Sequence, residues 1–219
     1  MRGSLHLVLH IYYLALGLAV LYGNTIASNP ADALRLLLRA EVAVPTLVFL
    51  DLAKAPDCDL GSCGSFFGRA CYTLVKPFVR RHRGWYHSVW ASLYVASLAA
   101  LATYLVALWV GSLGIAKLDP GVPRLVFLVA LSSYTLHLLE DGLTVRGVGL
   151  LGVRLRSFAR TGSTDTLAAA LLVLPSATAL VVHYTATARA NLSASATVGL
   201  ATLTLTYVAL VLLPRLVRR

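Results

Sequence analysis

The fold of this chain is decided by its first long apolar run, residues 5–27, which read LHLVLHIYYLALGLAVLYGNTIA. The run contains no Asp, Glu, Lys or Arg. As a helix it reaches about 35 Å, enough to cross the roughly 30 Å hydrocarbon core of a bilayer. The apolar segment of a secretory signal peptide is shorter, so we expect a retained transmembrane helix.

The composition of the whole chain points to the same environment. Of 219 residues, 58% are hydrophobic and only 13% are charged. A soluble domain carries about 25% charged residues, and a disordered chain has far fewer apolar ones. The sequence therefore predicts an integral membrane protein, with the lipid bilayer as its main partner.

Four similar apolar runs occupy residues 87–116, 125–140, 167–188 and 194–213. A weaker run at 40–53 spans about 14 residues, roughly 21 Å as a helix, and is either a short, tilted crossing or a re-entrant segment. Counting it as a crossing, we predict an all-α, polytopic transmembrane helical bundle of about six spans. No internal repeat or linker divides it, so residues 1–219 are expected to form one integral membrane domain.

The distribution of basic residues predicts the orientation. With six spans, one side carries 14 Lys and Arg residues and the other carries 5. By the positive-inside rule, both termini and the long loops 54–86 and 141–164 are expected in the cytosol. If 40–53 does not cross, the bias survives but the N-terminus moves outside.

The net charge of +10 raises nucleic-acid binding as a function, but basic loops that meet anionic headgroups explain it better in a membrane protein. The three cysteines, Cys58, Cys63 and Cys71, cannot all pair, and we expect no disulfide framework, in keeping with a reducing cytosol. They also lack the paired C-x2-C spacing of a structural zinc site.

Polar residues of metal-binding type gather at the predicted cytosolic boundary. His137 and Asp141 are four residues apart and share one helical face, which suits a transition metal. Asp57 and Asp59 follow Pro56 and could reach one cation or bridge two. The alternatives are an interfacial histidine paired with a helix-end carboxylate, and two solvated acids.

The stretch 80–88, RRHRGWYHS, is the densest in such residues. His82 and His87 are five residues apart, and Gly84 allows a turn between them. The alternative is a basic, aromatic anchor in which the arginines meet lipid phosphate and the aromatic rings lie at headgroup level. That alternative does not explain why two histidines fall on the same side as the acids.

Taken in order, these motifs resemble the YdjM family. The matching residues are His6, then PDCD at 56–59, HRGWYHS at 82–88, and His137 with Asp141 and Thr144. YdjM proteins are inner-membrane proteins described as metal-dependent hydrolases, sometimes as LexA-binding, and related to zinc-dependent phospholipase C and P1-type nucleases. The chain departs from the family pattern at Leu60, Tyr86 and Val145, where the family usually has His, Thr and Pro.

The resemblance implies a membrane-bound, metal-dependent hydrolase that acts on a phosphate ester, such as a lipid or another amphiphilic phosphate, at the cytosolic membrane face. Its implied metal ligands are His6, Asp57, Asp59, His82, His87, His137 and Asp141. Zinc is the expected metal, with manganese and iron also compatible. Arg83 is the candidate catalytic residue because its planar guanidinium suits phosphate, and an equal alternative is a lipid anchor.

Two other classes of function remain open. One is a metal-binding membrane protein without catalysis that docks a soluble protein on its basic loops. The other is a small transporter, which should carry polar residues near the middle of the membrane. The centres of the predicted spans are nearly free of ionisable groups, which disfavours the transporter.

Overall fold

The structure, a computed structural model, describes residues 3–60, 63–78, 85–115, 119–150, 153–187 and 191–216. Its α-helices are α1 (Gly3–Ser28), α2 (Pro30–Leu37), α3 (Ala40–Leu52), α4 (Phe66–Val75), α5 (Val89–Ser112), α6 (Gly121–Gly142), α7 (Asp165–Ala186) and α8 (Leu192–Leu216). Two short 3₁₀ helices cover Ala55–Leu60 and Trp85–His87. The predicted all-α membrane architecture is confirmed. One small addition is a two-stranded sheet, β1 (Val148–Leu150) and β2 (Val153–Leu155), in the loop before α7.

In the part of the chain that the structure describes, five helices are long and apolar enough to cross a membrane: α1, α5, α6, α7 and α8. Each has 20 to 25 residues in its candidate span, enough for about 30 Å of hydrocarbon. The helix α3 has 13 residues and reaches only about 20 Å. The weak apolar run at 40–53 is therefore a real but short helix.

The chain forms two compact units. The first comprises Met1–Leu37, Glu140–Gly147 and Arg154–Arg219, and so contains α1, α7, α8 and the last residues of α6. Its apolar core joins Leu9 of α1, Leu143 after α6 and Val211 of α8. The Ser157 hydroxyl donates to the carbonyl of Leu210 at 2.6 Å. The first turns of α1 and the last turns of α8 therefore lie beside the C-terminal end of α6.

The second unit comprises Leu38–Leu139 and Val148–Val153, and contains α3, α4, α5 and most of α6. In this unit α3 runs alongside α6. The Ser133 hydroxyl donates to the carbonyl of Phe49, and the His137 ring bonds to the carbonyl of Ala53, each at 2.7 Å. Because the two contacts advance by four residues on both segments, α3 and α6 run in the same direction.

The sequence predicts no disulfide framework, and the structure corrects this for one pair of cysteines. Cys58 and Cys63 form a disulfide, with their Cα atoms 4.5 Å apart. The 3₁₀ helix that carries Cys58 folds back on the residues before α4, which no count of cysteines can predict. Cys71 is free and buried, and desolvation raises the pKa of its thiol to about 12.

Candidate metal centre

The second unit brings together three of the predicted ligands. Asp57 lies in the 3₁₀ helix after α3, His87 ends the 3₁₀ helix before α5, and His137 lies on α6. The Nε2 atoms of His87 and His137 are each 3.7 Å from the same oxygen, Oδ1 of Asp57. The two imidazole rings meet edge to face, with centroids 6.2 Å apart. We call these three residues the Asp57 cluster.

A main-chain contact orients His137 within this cluster. Its Nδ1–H donates to the carbonyl of Ala53 at 2.7 Å, and its Nε2 atom lies on the side of Asp57, 3.7 Å from Oδ1. Metal-binding histidines are commonly held in this way, with one ring nitrogen bonded to a carbonyl and the other on the metal. The rest of the ring is fully buried, so this orientation is fixed by packing as well.

His87 and the 3₁₀ helix that carries Asp57 are held by α4. The Tyr86 hydroxyl donates to the carbonyl of Gly68 at 2.8 Å, and Tyr134 donates to the carbonyl of Tyr86. A side chain at Gly68 would bring its Cβ within 2.6 Å of the Cβ of Ala55. Only glycine therefore lets α4 approach the segment that presents Asp57. Tyr86 supplies the bond that ties its neighbour His87 to α4.

The donor set and spacing of the Asp57 cluster fit a divalent cation. Two atoms that are each about 2.1 Å from one cation lie roughly 3 to 4 Å apart, depending on the angle between them. The two N–O separations of 3.7 Å fall in that range and exceed an ordinary hydrogen bond. Two imidazoles and one carboxylate suit zinc, manganese or iron.

The first unit brings together a second group, which we call the Glu140 cluster. The Nδ1 atom of His6 contacts Glu140, and its Nε2 atom is 3.7 Å from Oδ1 of Asp141. His10 donates from Nδ1 to the carbonyl of His6 at 2.8 Å and lies 3.3 Å from Glu140. His6 and His10 are one helical turn apart on α1, so both rings face the end of α6.

The two carboxylates of the Glu140 cluster are buried, so their negative charge needs compensation from neighbouring groups. Glu140 and Asp141 are each 1% exposed, and both histidines are completely buried. An ionised carboxylate in such a place is stable only when a positive charge compensates it. Either a protonated imidazole of His6 or His10 or a bound cation would supply that charge. For a cation, the ring nitrogens and carboxylate oxygens of the four side chains are the available ligands.

His6 and Asp141 lie in the first unit, in the Glu140 cluster, and Asp57, His87 and His137 lie in the second unit, in the Asp57 cluster. Asp59 lies in the same 3₁₀ helix as Asp57, but its side chain is outside the described part of the chain. His82 and Arg83 also lie outside the described residues, so their roles stay predictions from the sequence.

Sequence reasoning missed two members of the Glu140 cluster. Neither His10 nor Glu140 is among the metal ligands predicted from the sequence. The signal was present for His10, because it lies four residues after His6, the spacing that had singled out His137 and Asp141. For Glu140 the only signal was its place beside Asp141.

Comparisons with known proteins place the chain in a family. No curated protein and no solved structure matches it. The family model of the YdjM inner membrane protein matches residues 10–216, which includes all of the Asp57 cluster and leaves only His6 of the predicted ligands outside. The match and the five candidate spans agree on a multi-pass protein of the inner membrane. The chain belongs to the YdjM inner membrane protein family.

Proposed function

We propose that the chain is a membrane-bound, metal-dependent hydrolase of a phosphate ester, and that the Asp57 cluster is its catalytic metal site. The observation that carries this proposal is the difference in exposure among three converging ligands. Asp57 is 22% exposed, whereas His87 and His137 are buried behind it. Catalytic metal sites use about three protein ligands and leave a position open to water and substrate.

The chemistry divides between the cation and the chain. A divalent cation, zinc in the first place and manganese or iron as alternatives, supplies Lewis acidity toward water and a phosphoryl oxygen. His87 and His137 would hold it through Nε2, and the carbonyl of Ala53 keeps the His137 ring in place. Asp57 completes the set on the open side. Arg83, from the neighbouring motif, is proposed to stabilise charge on the phosphoryl group, with a lipid-anchoring role as the alternative.

The Glu140 cluster is proposed to act structurally. Its four side chains are almost completely buried, which is typical of closed sites that stabilise a fold. The same observation favours the second candidate function, a metal-binding membrane protein without catalysis that docks a soluble partner. The two candidate functions differ in the role of the Asp57 cluster. In the first, its metal catalyses hydrolysis, whereas in the second the cluster only binds a metal.

The test is an assay of the full chain in lipid nanodiscs, loaded with zinc or manganese, on a panel of aryl phosphates and phospholipids. Wild type should turn over at least one member, and Asp57→Asn should lose about 10²-fold or more in kcat, as expected when a group at the reacting centre is removed. The control is Asp32→Asn, which changes an exposed carboxylate on α2 that contacts Asn29 and Arg35. A fully metal-loaded wild type without turnover would favour the non-catalytic candidate.

A further inference from the structure

A groove runs along the short helix of the second unit. Its volume is about 330 Å³, and α3 and α5 supply most of its walls, with α4 and α6 closing the ends. Most of the side chains facing it from α3 and α5 are apolar: Val44, Leu47, Val48, Ala99, Ala102 and Val106. We call it the α3–α5 groove.

Two features of the sequence create this space. The helix α3 has 13 residues and α5 has 24, so α3 covers only part of its longer neighbour. Where they face each other, α5 presents Ala99, Ala102 and Thr103, whose side chains do not fill the gap. The side chains that line an empty space lose dispersion contacts. The groove is therefore more stable when an apolar group fills it.

The rim of the groove opens sideways to the surroundings of the helix bundle. Leu47 is 67% exposed and Val106 is 54% exposed. Because α5 is a candidate span, the medium at that rim is the hydrocarbon of the bilayer. Water is disfavoured in so apolar a cavity.

We propose that the α3–α5 groove binds one acyl chain of a membrane amphiphile. A flexible hydrocarbon chain fits a narrow volume of 330 Å³ and enters it from the bilayer without leaving an apolar medium. The groove follows α3 from Val44 to Asp51. Asp51 is held at its end by Ser65, Phe66 and Phe67, each of which donates a hydrogen bond to its carboxylate.

The end of the groove at Asp51 leads toward the Asp57 cluster. Ala53, two residues further along, accepts the bond that orients His137, and Asp57 follows in the next turn of the chain. A chain in the groove presents its headgroup at this end. This step rests on the proposed function, and it specifies the substrate as an amphiphilic phosphate ester whose tail lies in the groove.

The binding test compares Ala102→Phe, which fills the groove, with Ala107→Phe. Ala107 is also half-buried on α5 but does not line the groove. Phosphatidic acid with two oleoyl chains is the probe, in lipid nanodiscs, and retained lipid is counted by native mass spectrometry. Wild type and Ala107→Phe should retain one phosphatidic acid, and Ala102→Phe about tenfold less, since each lost pair of buried methylenes costs about a factor of ten.

If Ala102→Phe fails to fold, as judged by its melting temperature and metal content, Val44→Phe fills the groove from α3 instead. Equal retention by folded groove-filling variants and wild type would overturn the proposal. The activity arm uses dodecyl phosphate and phenyl phosphate. Filling the groove should raise KM about tenfold or more for dodecyl phosphate only. If Ala102→Phe reduces lipid retention but wild type shows no turnover, the groove still binds an acyl chain. In that case only the proposal of a hydrolase is contradicted.

Discussion

The Nδ1–H of His137 donates a 2.7 Å hydrogen bond to the carbonyl of Ala53, the residue directly after α3. This bond couples the length of a short helix to the orientation of a candidate metal ligand. Were α3 one residue longer, its last carbonyls would turn by about 100° around the helix axis, and the ring would lose this acceptor. The position at which α3 ends therefore helps to determine how the His137 ring is oriented in the Asp57 cluster.

The first prediction concerns metal content. The purified protein should carry a divalent transition ion, and His137→Ala should lower its affinity by at least 10-fold to 100-fold, the loss seen even for groups that only orient ligands. Elemental analysis and zinc titration measure it. His183→Ala is the matched control, because that ring bonds to Ser195 between α7 and α8. Similar losses in both variants would count against the Asp57 cluster.

The second prediction concerns Gly68. Gly68→Ala should destabilise the protein by about 1–3 kcal/mol, because the added methyl group forces α4 away from Ala55. The same displacement should weaken metal binding. Gly17→Ala is the control, since nothing lies within 4 Å of a Cβ added there, and its stability should be unchanged or higher. Thermal melting in detergent and zinc titration give the two readouts.

The third prediction concerns Arg83. If it stabilises charge in the transition state, Arg83→Ala should lower kcat by about 10²–10³ with little change in KM. Arg83→Lys should recover only part of this, because an ammonium lacks the bidentate geometry. Steady-state kinetics on the best phosphate ester measure both. Full turnover by Arg83→Ala, alongside an inactive His137→Ala, would assign Arg83 to lipid anchoring.

The fourth prediction concerns topology. In the first unit α1 begins, and α8 ends, beside the C-terminal end of α6, so we expect both termini on one face and α3 as a sixth, short crossing. Arg35→Cys and Thr73→Cys flank α3 and should therefore react with maleimide from opposite faces. Native Cys71 gives little background, because its buried thiol has a pKa of about 12 and stays protonated.

The same experiment decides the orientation. The charge bias predicts that Thr73→Cys reacts only in inverted vesicles, from the cytosolic face. The disulfide between Cys58 and Cys63 favours the other orientation, because disulfides persist mostly in oxidising compartments. Reaction of Thr73→Cys in intact cells only would reverse the orientation, and reaction of both positions from one face would make α3 re-entrant.

The fifth prediction concerns this disulfide, which adjoins Asp57. Its removal in the double variant Cys58→Ser, Cys63→Ser should lower stability by about 2 kcal/mol, as expected for so short a loop. The freed 3₁₀ helix should also hold Asp57 less firmly and bind zinc more weakly. Cys71→Ser alone, the control, should leave zinc affinity unchanged. Equal zinc affinity in all three proteins would mean that the disulfide does not position Asp57.

Much of this protein could be predicted from local sequence. The apolar runs specify the long helices, because a bilayer-spanning segment must satisfy its own backbone hydrogen bonds and so becomes helical wherever it is long enough. The short run at 40–53 predicted a short helix for the same reason. The order of the His and Asp motifs was sufficient to identify the family, since the spacing of such motifs is visible along the chain.

Only the tertiary structure decided how those residues group. His6 meets Glu140 across 134 residues, and His137 meets the carbonyl of Ala53 across 84. Neither pairing follows from the periodicity of the sequence. Each pairing depends on which helices pack together and on how they are aligned along their axes. The Cys58–Cys63 disulfide and the α3–α5 groove have the same origin: the local sequence fixes helix lengths and side-chain sizes, whereas the packing of distant segments determines what those side chains meet.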